Sequence, residues 1–284
     1  MDQTGLVLEG GGMRGLYTAG VLEYFMEQDL YFPYVIGVSA GACMAATYLS
    51  RQKGRNKKVN VDLASDPRFL SFRNFVVRRE IFGMDFLFDI IPNQIVPYDF
   101  NTYLEGKEQF VVVATDCHTG KSMYFQKKDV ESNLLTILRA SSSLPFISRA
   151  VPYKGRDLID GGLSDPIPIK KAQQDGYKKN VIIMTKEAEY RLNRSKWSRL
   201  LPVMCRKYPR VAPLLQERYK LYNDTVTYIE SEREKGSLLV IQPSRTIAVK
   251  RIERNHNKLF DLYNLGMKDA KAQMKNIEKF IKTN

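Results

Sequence analysis

Residues 5–49 run twice through one local pattern: a short apolar segment, a glycine-rich turn, and a stretch with helical periodicity. Leu6-Val7-Leu8 leads into Gly10-Gly11-Gly12. From about Arg14 to Glu27, Leu16, Ala19, Val21, Leu22, Phe25 and Met26 then recur at helical spacing. Tyr34-Val35-Ile36 leads into Gly37-Val38-Ser39-Ala40-Gly41 and the small-residue helix Ala42 to Leu49. Alternation of this kind is the mark of an α/β domain with a mainly parallel sheet.

The rest of the chain extends the alternation. Phe110 to Thr115 reads as a strand, Thr115 to Gly120 as a turn, and Ser122 to Gln126 as a return strand. Ser132 to Ser141 suits a helix. Leu158-Ile159 ends a strand at the turn Asp160-Gly161-Gly162. Val181–Met184 and Leu238–Ile241 are buried-type strands, and His256 to Ile281 is a terminal amphipathic helix. Residues 51–105 are less regular, basic first and then rich in phenylalanine from Phe69 to Phe88. With no repeat, low-complexity tract or linker, the organisation expected is one domain over 1–284. Its core spans about 5–185, a basic helical region about 186–236, and a final strand and helix about 237–284.

Charge narrows the partners. The net charge is +13, concentrated between Lys186 and Lys220, with a second basic run at Arg51 to Lys58. Such runs are either solvated faces or surfaces for an anionic partner. Residues 190–220 mix Trp197, Leu200, Leu201, Val203, Met204, Val211, Leu214 and Leu215 with arginines and lysines, which suits an anionic membrane interface. Pro202, Pro209 and Pro213 are expected to break this region into short helices. No nucleic-acid recognition motif is present. No stretch approaches the roughly 20 apolar residues needed to span a bilayer. The opening MDQTGLVLEGGG lacks the basic start of a secretory signal. Cys43, Cys117 and Cys205 are scattered, without metal-ligand spacing, and read as reduced thiols. A cytoplasmic protein, peripheral at the inner face of the membrane, is the resulting expectation.

Three short motifs carry the chemistry. Gly37-Val38-Ser39-Ala40-Gly41 matches G-x-S-x-G, in which a serine sits on a tight strand-to-helix turn and the flanking glycines let chains pass closely. Gly10-Gly11-Gly12-Met13-Arg14-Gly15 leaves several backbone N–H groups free to converge on an anion, such as the oxyanion of acyl transfer, with Arg14 beside it. The same glycines satisfy the dinucleotide pattern G-x-G-x-x-G. That alternative wants an acidic residue at the end of the second strand, and here Gly37 and Ser39 stand there. Asp160-Gly161-Gly162 supplies a carboxylate at a strand end. A serine needs a base. The chain has only His118 and His256, both in surface-like surroundings, so an aspartate is the expected base.

Together, Glu9 to Gly15, Gly37 to Gly41 and Asp160-Gly161-Gly162 resemble, in order, the three signature blocks of the patatin-like phospholipases, most closely the bacterial branch. Arg139 to Pro145, Pro166-Ile167-Pro168-Ile169 and Phe82-Gly83-Met84-Asp85-Phe86 are also similar, and the resemblance covers about residues 5–185. Glu9 departs from it, since many members carry Asp or Gly there. The resemblance implies a three-layer α/β/α patatin-like fold with a central, mostly parallel sheet. It also implies a Ser39–Asp160 dyad and an oxyanion hole from Gly10, Gly11, Gly12, Arg14 and Gly15. Gly37 and Gly41 would form the nucleophile elbow. No metal or cofactor is implied. The substrates would be phospholipids, lysophospholipids or neutral glycerolipids. A membrane-binding regulator that kept the fold without the chemistry is the other reading.

Overall fold

The computed structural model describes residues 3–130, 132–196, 198–246 and 248–282. Its centre is an eight-stranded sheet. Strands β1 (Thr4–Leu8), β2 (Tyr34–Val38) and β3 (Gln109–Asp116) run parallel, as do β7 (Lys179–Ile183) and β8 (Leu238–Ile241) on the other side of β1. Beyond β3 the sheet turns antiparallel. There β4 (Ser122–Gln126) and β6 (Arg156–Asp160) pair with β3, and β5 (Val151–Tyr153) pairs with β6. The strand order is β5-β6-β3-β2-β1-β7-β8, with β4 also on β3.

Alternation along the parallel strands builds two cores. Leu6, Leu8, Val35, Val112, Val181 and Ile183 point to one face. Val7, Ile36, Val38, Val111, Val113 and Ile182 point to the other. Because both faces are apolar, both must be covered, which is why these strands read as unbroken hydrophobic runs. Helices α1 (Leu16–Glu27), α2 (Ala40–Leu49) and α3 (Leu134–Ser141) cover the first face, with α6 (His256–Lys282). The second is covered by α4 (Ile169–Gln174) and α5 (Val211–Glu234). The three-layer α/β/α expectation is therefore met.

Two local expectations change. Pro213 does not interrupt the basic region: it lies in the first turn of the single 24-residue helix α5, where its missing N–H has no helical acceptor to lose. The basic run at Arg51–Lys58 is partly structural. Arg51 pairs with Glu108 and stacks on Tyr31 at 3.6 Å, and Arg55 bonds the Val96 carbonyl at 3.1 Å and lies over Tyr98.

Register positions the ends of the strands. Val38 pairs with Val113 and Asp160 with Ala114, so the residue following β2 and the last residue of β6 flank β3 at one level. From β1 the chain moves outward through β2 and β3, and it later returns to the opposite side of β1 as β7. Such a switch point opens a crevice at the carboxyl ends of parallel strands.

Candidate active site

Ser39 occupies that crevice. It joins β2 to α2 with φ 55° and ψ −127°, a conformation that side-chain-bearing residues rarely adopt. The strain is held by tight packing on both sides. A Cβ on Gly41 would lie 2.6 Å from the Glu9 carbonyl oxygen, and one on Gly37 would lie 2.8 Å from the Ala42 nitrogen. Only glycine lets α2 start this close to β1. The Ser39 N–H is held by Ser141 Oγ at 2.8 Å, and that hydroxyl in turn donates to the Val113 carbonyl at 2.6 Å. Ser141 lies in the segment Arg139 to Pro145 noted from the sequence, which gave no hint of this supporting role.

Asp160 is 4% exposed and Ser39 7%. The carboxylate is oriented by its own turn: Oδ1 accepts the Gly162 N–H at 2.7 Å. The Asp160 carbonyl accepts from Thr115 Oγ1 at 2.8 Å, and its N–H donates to Ser143 at 2.9 Å. Oδ2 is buried and completes no standard hydrogen bond among the described residues. Burial pushes the Asp160 pKa above the usual carboxylate value. The neighbouring Ser39 hydroxyl, the Gly162 N–H, Arg251 and Arg218 oppose that shift. A buried carboxylate with a free oxygen beside a serine hydroxyl can accept a proton.

The glycine turn forms the adjoining wall. Gly10, Gly11 and Gly12 line the same cavity as Ser39 and Asp160. Their three N–H groups donate to no acceptor among the described residues. By contrast, the Met13 N–H donates to the Arg251 carbonyl at 3.1 Å and the Arg14 N–H turns back to Gly11 at 3.3 Å. Gly12 sits at φ 58°, with the Arg251 carbonyl where a Cβ would go. Arg14 contributes its guanidinium to the cavity. Gly15 is a packing residue, since its missing Cβ leaves room for Ala40.

Glu9, the departure noted from the sequence, is fully engaged. Its carboxylate accepts the Thr185 N–H and hydroxyl and, at 3.0 Å, the Tyr222 hydroxyl. Burial raises its pKa, against the hydrogen bonds from Thr185.

Two cavities meet at Ser39. One carries the cations Arg14, Lys186, Arg218 and Arg251 among apolar residues such as Phe146 and Leu215. The other is apolar, walled by Met44, Phe69, Phe82, Met84, Phe88 and Ile91, and it shares Gly12 and Leu144 with the first. The aromatic stretch that looked irregular in sequence thus builds the apolar wall. Neither histidine lines either cavity. His118 contacts Asp157 at 3.2 Å with its side chain 59% exposed, and His256 lies 3.8 Å from Asp62.

Next to the cation-lined cavity the basic region exposes apolar side chains: Leu200, Val203 at 68%, and Met204, with Phe146 beside them. Leu201, Cys205 and Val211 turn inward onto Ile159 and Leu163 instead. Trp197 lies outside the described residues. No helix among the described residues is long and apolar enough to cross a membrane.

A family model described as patatin-like phospholipase matches residues 6–172, and a second, a domain of unknown function (DUF6363), matches residues 208–282. The uncharacterized protein YjjU of Escherichia coli is 32% identical over 186 residues, covering 63% of this chain and 51% of that protein. Lysophospholipase NTE1 of Meyerozyma guilliermondii is 26% identical over 186 residues, covering 62% of this chain and 12% of that protein. The matches thus span about half of the bacterial relative and a small part of the yeast one. VipD from Legionella pneumophila shares the fold at a TM-score of 0.58 and 13% identity, over 97% of this chain and 67% of that one.

Proposed function

The chain belongs to the patatin-like phospholipase family, and from that premise we propose that it is a lipid-acyl hydrolase acting through Ser39 and Asp160. The observation that carries this reading is the junction at Ser39. A serine on a strained strand-to-helix turn faces a buried carboxylate with an uncommitted oxygen, between an apolar cavity and unpaired backbone N–H groups.

In this reading the fatty-acyl chain lies along Met44, Phe82, Met84 and Phe88, with the ester carbonyl over Ser39. Ser39 Oγ attacks the carbonyl carbon as its proton passes to Asp160. The N–H groups of Gly10, Gly11 and Gly12 take the developing oxyanion. Collapse breaks the ester C–O bond, and the alcohol leaves with the proton from Asp160. Water, deprotonated by Asp160, then attacks the acyl-serine and releases the fatty acid. Burial supports this role, because it raises the proton affinity of the base. The exposed Leu200, Val203 and Met204, flanked by Arg194, Lys196, Arg199 and Arg206, would seat the protein on an anionic membrane beside the cavity mouth. Covalent labelling by a fluorophosphonate, lost in Ser39→Ala, tests the assignment. Folded protein that does not label would overturn it.

A further inference from the structure

The cation-lined cavity beside Ser39 is unusual in its charge. Arg14 comes from the turn after β1, Lys186 from the segment after β7, Arg218 from α5 and Arg251 from the loop after β8. None of the four forms an ion pair among the described residues. Elsewhere in the chain arginines find carboxylates: Arg139 with Asp85, Arg156 with Asp116, Arg191 with Glu230. Here the contacts are weaker. Arg14 Nε reaches the Gly11 carbonyl at 3.4 Å and Arg218 Nε the Gly162 carbonyl at 3.3 Å, while Lys186 lies over the Tyr190 ring. Glu9 and Asp160 line the same cavity and attract these cations, yet two carboxyl groups face four cations there and neither makes an ion pair with one among the described residues. Burial raises the pKa of both Glu9 and Asp160, and Glu9 is already engaged by Thr185 and Tyr222.

The cations are close enough to act on one another. After burial, Arg251 is the leading influence lowering the pKa of Arg14 and of Arg218, and Arg14 is that for Lys186. Like charges gathered in a partly buried cavity repel one another where cations outnumber acids, and a further anion among them relieves that repulsion. Guanidinium groups suit the oxygens of a phosphate, which they can bind in pairs. Position says where that anion belongs. The apolar cavity takes one side of Ser39 and the cationic cavity the other, so an ester straddling Ser39 would put its alcohol portion among the cations.

We propose that Arg14, Lys186, Arg218 and Arg251 form a phosphate subsite that makes the protein select acylated glycerophosphates over uncharged glycerolipids of the same acyl chain. This rests on Ser39 marking the ester position. In a glycerophospholipid the phosphate is only a few bonds from the acyl ester, so both fit one continuous cleft. Three of the four cations lie beyond residue 172, outside the stretch matched as patatin-like.

The test separates binding from cleavage. Ser39→Ala protein is titrated by calorimetry with lysophosphatidic acid, with a monoacylglycerol of the same chain, and with inorganic phosphate. Lysophosphatidic acid should bind about tenfold or more tightly than the monoacylglycerol, the scale of one strong charge-assisted bond. Adding Arg218→Gln and Arg251→Gln should remove most of that preference at an unchanged circular-dichroism spectrum. If this variant does not fold, Lys186→Gln alone should narrow the preference severalfold. Equal binding of the two lipids, or a preference untouched in folded variants, would overturn the proposal. So would inorganic phosphate binding as tightly as the lipid, since the site would then serve a free anion. Cleavage by the unsubstituted protein is read separately: preferential binding with neither lipid cleaved would remove the hydrolase reading and leave the subsite.

Discussion

The Tyr222 hydroxyl donates to Glu9 Oε1 at 3.0 Å, linking the end of the first strand to the middle of α5. Arg218 lies one helical turn before Tyr222 on the same face, so this bond also sets where Arg218 stands. Tyr222→Phe keeps the ring and removes one donor from a buried carboxylate. The expected cost is about 1–3 kcal/mol in denaturant unfolding, with a further loss of kcat/KM on phosphate-bearing lipids. Stability equal to that of the unsubstituted protein would show that the bond anchors nothing.

Ser39→Ala should reduce ester hydrolysis by about 10⁴-fold or more, the scale seen when a nucleophilic serine is removed. The melting temperature should hardly move, because the turn is held by Gly37, Gly41 and Ser141 and the serine hydroxyl is not part of that packing. Substantial residual hydrolysis would point to another nucleophile.

Asp160→Asn should be nearly inactive, while His118→Ala and His256→Ala keep most activity. Loss of activity in a folded His256→Ala variant would restore a histidine-based triad. The pH profile carries a second check. A base works when ionised, so activity should be full at higher pH and fall as pH drops through the Asp160 pKa. Burial raises that pKa, so the acid limb should lie above the ordinary carboxylate value of 3.8. Stability runs the opposite way. A raised folded-state pKa contributes stability at low pH that is lost as pH rises through it. Asp160→Asn should therefore melt no lower than the unsubstituted protein at neutral pH, and a clear fall would contradict this.

Alanine at Arg194, Lys196 and Arg199 should weaken binding to anionic vesicles by up to about a hundredfold, taking roughly 1 kcal/mol per residue. Cleavage of a soluble short-chain ester should change far less. Serine at Val203 and Met204, both exposed, should act in the same direction. Co-sedimentation measured beside esterase rate decides the matter, and equal losses in both would assign the segment to folding.

The sheet was legible because strands buried on both faces announce themselves as apolar runs. Leu238–Ile241 was placed to the residue, and His256 to Ile281 differs from the observed helix by one residue at its end. The residues around Ser39 were legible because each sits in a short local motif. What escaped was whatever depends on long-range packing. Lys186, Arg218 and Arg251 have no motif around them and meet only because β7, α5 and β8 fold back over the glycine turn. Phe69, Phe82 and Phe88 lack strand or helix periodicity because they line a cavity instead of one face of an element. Pro213 misled because a proline in a first turn looks, in sequence, like one that breaks a helix.

Ser39, Asp160 and the three glycines all fall within residues 6–172, whereas Lys186, Arg218 and Arg251 come after them. The groups proposed to break the ester and most of the charged wall therefore stand in separate lengths of chain. A change in the later length can retune what enters the cleft without disturbing the earlier one. The proposed reaction groups and the proposed phosphate groups are thus separable targets, so that substitutions in one length can be read without rebuilding the other.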